Sequence, residues 1–290
     1  MGRREAMLGI AIGRKGVGKT YTTLEMMQPY LIGNPKTGAK PRKVLILDVN
    51  NEFGNVKEDQ NPEFAHIKAI RLEDVKRFTL QRKIEAARVS VLKPEGGKMN
   101  LVELADALHH ILETYENGLL LVEDLTKFVS DSLPSDLIGS ICTQRHVSVD
   151  VIIHFQSVGK AGHPKLWGNC NWLRFHKCDD TVERHKNKFA GNIDHLKILE
   201  KMVDIEYEKG NKRFYAYLNK DDHCIQGNFT KRQFQFAIYQ YLQDNYSKVV
   251  SPLLRKKDLM TGKPIYEDHK HLAKTLIKEL TDKYYGNGKS

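Results

Sequence analysis

Gly13, four intervening residues, and then Gly18, Lys19 and Thr20 make up the stretch GRKGVGKT. This spacing suits the capture of a phosphate group. Glycines let successive backbone N–H groups curl around phosphate oxygens, and a helix starting immediately afterwards brings its positive end to the same point. Arg14, Lys15, Gly16 and Val17 fill the loop, and Tyr21 follows in the first helical turn. Lys19 would neutralise β- and γ-phosphates, and Thr20 would place its hydroxyl on Mg²⁺. A chance glycine-rich turn is the alternative, but an apolar strand before the loop and a helix after it are the context a phosphate loop requires.

Such a loop needs a carboxylate from the end of a second strand to face the metal, and commonly another to orient the attacking water. Two apolar runs compete for this role: LLLVED, ending in Glu123 and Asp124, and VLILD, ending in Asp48. The first offers both acids, with Glu123 expected on the metal side and Asp124 on the water side. Either carboxylate can accept from a metal-bound water. The bland alternative is a buried strand whose polar end meets solvent. Gln156 closes a further apolar run, VDVIIHFQS, where its amide could contact a γ-phosphate or the water. Arg145 precedes that run; it is either a finger reaching a neighbouring subunit's nucleotide or a solvated arginine at a helix end.

The elements that must position these residues follow from the apolar pattern. Short apolar runs at 7–12, 43–48, 118–123, 149–155 and 171–176 alternate with longer mixed segments, which predicts a parallel sheet flanked by helices. Helices are expected at 19–30, 100–116 and 132–146. The second has helical spacing of Leu101, Leu104, Leu108, Ile111 and Leu112, with Asn100 as N-cap. A short strand is expected within ARVSVLKP, a hairpin at 212–218 and 223–229, and helices at 230–245 and 267–285. The 290 residues, 40% hydrophobic and 28% charged, suit a globular chain with one sizeable domain and an appendage, or at a stretch two compact domains. The expected division is a main α/β domain over 1–247 and a basic helical tail over 248–290.

No run is long and apolar enough to span a bilayer, so no membrane insertion and a cytoplasmic setting are expected. Cys142, Cys170, Cys178 and Cys224 lack CxxC pairing and read as reduced thiols. The net charge of +10 favours a polyanionic partner. The tail from 248 to 290 carries ten Lys/Arg against five Asp/Glu. Its basic face suits a DNA-contacting arm, a docking element or a solvated helix.

The ordered set GRKGVGKT, LILDVNNEFG, LLLVED, RHVSVDVIIHFQS and WGNCNWLRFH resembles the FtsK-HerA superfamily of P-loop motors, over about residues 5–235. The resemblance implies a RecA-like P-loop NTPase fold with a central, mostly parallel sheet. It implies ATP and Mg²⁺ as cofactors, with Lys19 and Thr20 on nucleotide and metal, Glu123 and Asp124 as the acid pair, Gln156 as sensor and Arg145 as finger. The acid pair departs from the usual order, Asp then Glu, so Asp48 and Glu52 stand in reserve for water activation. The resemblance further implies a homo-oligomeric ring, hexamer or pentamer, that translocates or packages double-stranded DNA, with a portal, nuclease or capsid protein as further partner. That would place it in the host cytoplasm or the virion if the source is viral. Zot-like relatives, an assembly or secretion ATPase acting on protein, and a nucleotide-switched binding protein are the alternatives. DNA contact is expected from the loop after Gln156, through Lys160 and Lys165.

Two further signals carry less. NKDD at 219–222 matches a guanine-reading motif but sits in an expected hairpin turn. Cys170, His176, Cys178, His223 and Cys224 lack the spacing of a zinc finger or ribbon.

Overall fold

The structure is a computed structural model that describes residues 5–36, 38–49, 67–91, 93, 97–123, 138–141, 148–189, 191 and 193–287. Two compact units divide the chain, Met1–Asn171 and Trp172–Ser290. The boundary expected at 247/248 falls inside the second unit.

The first unit is built on parallel strands β1 (Leu8–Ile12), β2 (Lys43–Asp48), β3 (Lys68–Ile70), β4 (Ala86–Ser90), β5 (Gly118–Val122) and β6 (Asp150–Phe155). Their spatial order is β3-β4-β2-β5-β6-β1. Every pairing among them is parallel. Helices α1 (Lys19–Ile32), α2 (Val75–Leu80), α3 (Leu101–Thr114), α4 (Val158–Ala161) and α5 (Pro164–Asn169) belong to this unit. This is the expected RecA-like α/β arrangement.

β1, β2, β5 and β6 are buried at every position, which explains their unbroken apolar runs: a parallel strand covered on both faces has no solvent side to mark with polar residues. Toward the β3 end, β4 alternates between buried and half-buried residues and β3 exposes two of its three. The polar exceptions inside the core strands have partners. Asp150 accepts from the Met7 backbone N–H at 2.8 Å, Tyr30 Oη at 2.8 Å and Arg42 Nη2 at 3.2 Å. Lys43 donates from Nζ to the carbonyls of Thr79 at 2.7 Å and Gln81 at 2.5 Å, closing the C-terminal end of α2 with a cation. Asn100 caps α3 with a full capping box through Glu103, as its position predicted.

In the second unit β7 (Trp172–His176), β8 (Tyr215–Asn219) and β9 (Cys224–Gln226) pair antiparallel. The run expected at 171–176 forms β7, and the hairpin expected at 212–218 and 223–229 gives β8 and β9. Apolar runs do not encode strand direction. α6 (Ile193–Glu208) and α7 (Lys231–Asp244) pack on each other, and their buried residues include Leu199, Met202, Phe234 and Ile238. After the short α8 (Ser251–Leu254), α9 (His269–Tyr284) buries Leu272, Leu276 and Tyr284 and packs on α7. The residues beyond α9 return to the sheet, where Gly286 N–H donates to Ile225 O at 2.9 Å.

Two segments depart from expectation in the first unit. The region after Gln156 is not an open loop but two short helices, α4 and α5, the second started by Pro164 at its first turn. Ahead of β4, where the apolar pattern predicts no element, lie β3 and α2. The helix expected at 132–146 lies largely outside the described residues, of which 138–141 are helical.

Candidate nucleotide site

The site forms where β5, β6 and β1, adjacent in that order, end at the same edge of the first unit. Ile12 pairs with Phe155 and Val122 with Ile153. Gly13 N–H extends the ladder to Phe155 O at 3.2 Å. Gly13, at the end of β1, and Gln156, at the end of β6, are thus on adjacent strand ends, and Gln156 is exposed.

The glycine loop has the backbone its chemistry needs. Gly16 has φ +83° and Gly18 φ +84°, both left-handed. Gly18 is the N-cap of α1 and offers no side chain to its first turn. The helix amides therefore remain directed at the loop. Val17 is buried and anchors the loop, while Lys15, Gly16 and Tyr21 are exposed and Arg14 is half-buried. Lys19 Nζ folds back over the loop, donating to Gly13 O and, at 2.9 Å, to Arg14 O.

Across from the loop, Thr20 Oγ1 donates to Glu123 Oε1 at 3.1 Å. Glu123 follows β5, only 3% exposed, and its carboxylate meets a second donor, His154 Nδ1, at 2.9 Å. The other ring nitrogen of His154, Nε2, lies 2.8 Å from Thr23 Oγ1. Burial pushes the Glu123 carboxyl up, but hydrogen bonds from His154 and Thr20, the His154 charge and the nearby Lys19 ammonium outweigh it. Its pKa falls below the usual carboxylate value, so Glu123 is an anion. A hydroxyl and an ionised carboxylate at this separation form a hard-oxygen donor set, the kind Mg²⁺ takes alongside waters and phosphate oxygens.

The sequence-predicted residues Gly13 through Tyr21 and Glu123 are brought together here, with Gln156 on the intervening strand. Asp124, Arg145 and the reserve Glu52 lie outside the described residues. Asp48, the other reserve, is fully buried, and Arg88 Nη1 on the neighbouring strand is 3.1 Å from its Oδ2. His154 and Thr23 carried no functional expectation. The available signal was an ionisable residue inside an otherwise apolar run, two positions before Gln156.

Elsewhere, Asn219 Oδ1 accepts from the backbone N–H groups of Asp221 and Asp222, each at 3.1 Å, so NKDD is an Asx-type turn between β8 and β9. Cys170, Cys178 and Cys224 are buried thiols that form no disulfide with one another.

A parallel α/β sheet that ends in a left-handed glycine loop, a helix N-terminus and an opposed carboxylate defines a P-loop NTPase, a nucleotide-binding fold. No family model and no curated protein matches the sequence. Among solved structures, the chain is similar to the genome packaging NTPase B204 from Sulfolobus turreted icosahedral virus 2 in complex with ATP-gammaS. The identity is 12% over 77% of this chain and 97% of that one, with a TM-score of 0.46. It is also similar to the N-terminal domain of zonular occludens toxin from Neisseria meningitidis, at 15% identity over 67% and 99% of the two chains and a TM-score of 0.32. A third neighbour is the Legionella pneumophila ATPase DotB, at 12% identity, 72% of this chain and 58% of that one, with a TM-score of 0.41. Among the described residues, no helix is long and apolar enough to cross a membrane.

Proposed function

We propose that this chain is an Mg²⁺-dependent ATPase of the FtsK-HerA type that translocates or packages double-stranded DNA as a homo-oligomeric ring. The observation that carries the ATPase reading is the contact between Thr20 and Glu123 beside the glycine loop. It puts a hydroxyl and a carboxylate side by side next to the glycine loop, a pair that would suit Mg²⁺. In this reading the loop amides and Lys19 bind the β- and γ-phosphates. Lys19 must first leave the Gly13 and Arg14 carbonyls, an exchange that a phosphate's charge favours. Thr20 and Glu123 hold Mg²⁺, which neutralises charge on the phosphate oxygens when bound. Asp124 orients and deprotonates the attacking water, Gln156 senses the γ-phosphate from the intervening strand, and Arg145 acts on a neighbouring subunit's nucleotide.

The DNA part rests on the ordered motif set and on the net charge of +10. Lys160 and Lys165, exposed on α4 and α5 just beyond Gln156, are the proposed DNA contacts. The test is ATP turnover with and without double-stranded DNA for wild type and Lys19→Ala, with particle size measured in a non-hydrolysed ATP analogue. DNA-stimulated turnover that falls by about 10²-fold or more in the variant, from a particle several times the monomer mass, is expected. A monomer whose turnover ignores DNA overturns the motor reading, and tight binding with negligible turnover would mark a nucleotide switch instead.

A further inference from the structure

His154 is only 1% exposed, in the middle of the site and without a part in the function proposed above. Its strand, DVIIHF, is otherwise closed by apolar side chains or by the Asp150 anchor. A leucine or valine would fill such a position without the cost of desolvating an imidazole. Both ring nitrogens instead meet polar atoms of the nucleotide site, Nδ1 with Glu123 Oε1 at 2.9 Å and Nε2 with Thr23 Oγ1 at 2.8 Å. Ala11, its partner in register on β1, has no side chain beyond Cβ to compete for the space.

The proton positions follow from the partners. An ionised carboxylate only accepts, so Nδ1 carries the hydrogen and donates it to Glu123. Nε2 then accepts from the Thr23 hydroxyl in the neutral ring and donates to Thr23 Oγ1 in the charged one. Thr20 and Thr23 lie one turn apart on α1, and Thr20 also donates to Glu123 Oε1. Hydrogen bonds therefore close a ring, Thr20 to Glu123 to His154 to Thr23, that ties α1, the end of β5 and β6 together. Both bonds to Glu123 fall on the same oxygen, which fixes the carboxylate's orientation.

We infer that His154 is a positioning residue: it holds Glu123 against Thr20 and thereby sets how strongly the site prefers Mg²⁺-bound nucleotide over free nucleotide. This rests on the proposed nucleotide reading. Groups that orient a metal-facing ligand typically change metal affinity by about 10–100-fold when removed. His154 acts on the metal only through Glu123.

Two substitutions separate orientation from space-filling. His154→Asn places an amide nitrogen near the position of Nδ1 and can keep the bond to Glu123. His154→Gln places its amide near Nε2 and keeps only the side facing Thr23. The dissociation constant of a non-hydrolysed ATP analogue is measured by calorimetry in Mg²⁺ and in EDTA, with thermal unfolding of each protein alongside. The wild type is expected to bind more tightly in Mg²⁺. His154→Gln is expected to lose about 10–100-fold of that gain at unchanged affinity in EDTA, while His154→Asn keeps most of it. Thr23→Val, which leaves the imidazole in place, is expected to give a smaller loss of the same kind and serves should a His154 variant not fold. Equal losses in the Asn and Gln variants, or none in any variant, overturn the proposal alone. A wild type that gains nothing from Mg²⁺ overturns the proposal and the metal-site reading beneath it.

Discussion

Thr20 Oγ1 and Glu123 Oε1 stand 3.1 Å apart although 103 positions separate them in the chain. The contact joins the helix that follows the glycine loop to the strand that ends in LLLVE. Glu123→Gln retains a side chain of the same size and an acceptor for both donors, so the fold and Tm should change little. It removes the negative charge that faces the metal, and ATP turnover should fall by about 10²-fold or more. Turnover and thermal unfolding on the same preparation check this. Asp124→Asn is expected to abolish turnover while sparing ATP binding. Should Glu52→Gln do so instead, the water-side base lies beyond β2.

Gly118 opens β5 against Tyr115, whose Oη donates to Lys43 O at 2.8 Å and Leu119 O at 3.3 Å. A Cβ at Gly118 would lie 2.0 Å from Tyr115 Oη and 2.7 Å from Lys43 O. Gly118→Ala should therefore destabilise by about 1–3 kcal/mol through overpacking. Tyr115→Phe should cost a similar amount by leaving buried carbonyls without their donor, about 1–3 kcal/mol. Because Tyr115→Phe removes the nearest atom of the clash, while Lys43 O and Tyr115 Cζ remain at 2.7 Å, the double variant should lose somewhat less than the sum, and urea unfolding of the four proteins measures the difference.

The parts that were legible in the sequence are those whose cause is local. The glycine loop needs only its own φ values and the helix behind it, and the four core strands announce themselves because both faces are covered. α2 escaped notice because six residues carry too little periodicity. Its end is instead closed by Lys43, 36 positions before Thr79. The antiparallel pairing of β8 with β7 is a property of the two strands together, absent from either run of residues. His154 shows the same limit inside the site. Its type stood out, but its role depends on register: only the folding of β6 between β1 and β5 brings it to Glu123 and Thr23.

Glu200 on α6 accepts from Val182 N–H at 2.9 Å, and burial, with Asp204 nearby, raises its pKa from the usual 4.5 to about 7. Lys177 and Lys201 oppose the shift without cancelling it. In the unfolded chain the group ionises near 4.5, while in the folded protein it holds its proton until about 7. The folded state thus binds more protons between those values, and its stability from this group falls as pH rises through that window. Glu200→Gln keeps the acceptor for Val182 and removes the ionisation. Its Tm should match the wild type at pH 4 and exceed it by a few degrees, in order of magnitude, at pH 8. A variant whose Tm tracks the wild type across the range would assign the loss of stability to other groups.

Asn287 closes the chain onto the loop after β9. Its Oδ1 accepts from Gly227 N–H at 2.9 Å, and its Nδ2 donates to Gly227 O at 2.7 Å and Phe229 O at 2.8 Å. Gly286 is required beside it, since a Cβ there would meet Cys224 Sγ and Gln226 Cγ, each at 2.6 Å. One side chain thus satisfies three backbone groups of a segment whose φ at Gly227 is +154°. Asn287→Ala should cost about 1–3 kcal/mol if those groups become buried without partners, and less if water replaces the amide. Amide hydrogen exchange distinguishes this local clamp from a global effect: Gly227 N–H should lose protection in the variant while amides in β1, β5 and β6 keep theirs. Protection lost uniformly would mean instead that the C-terminal segment stabilises the whole fold.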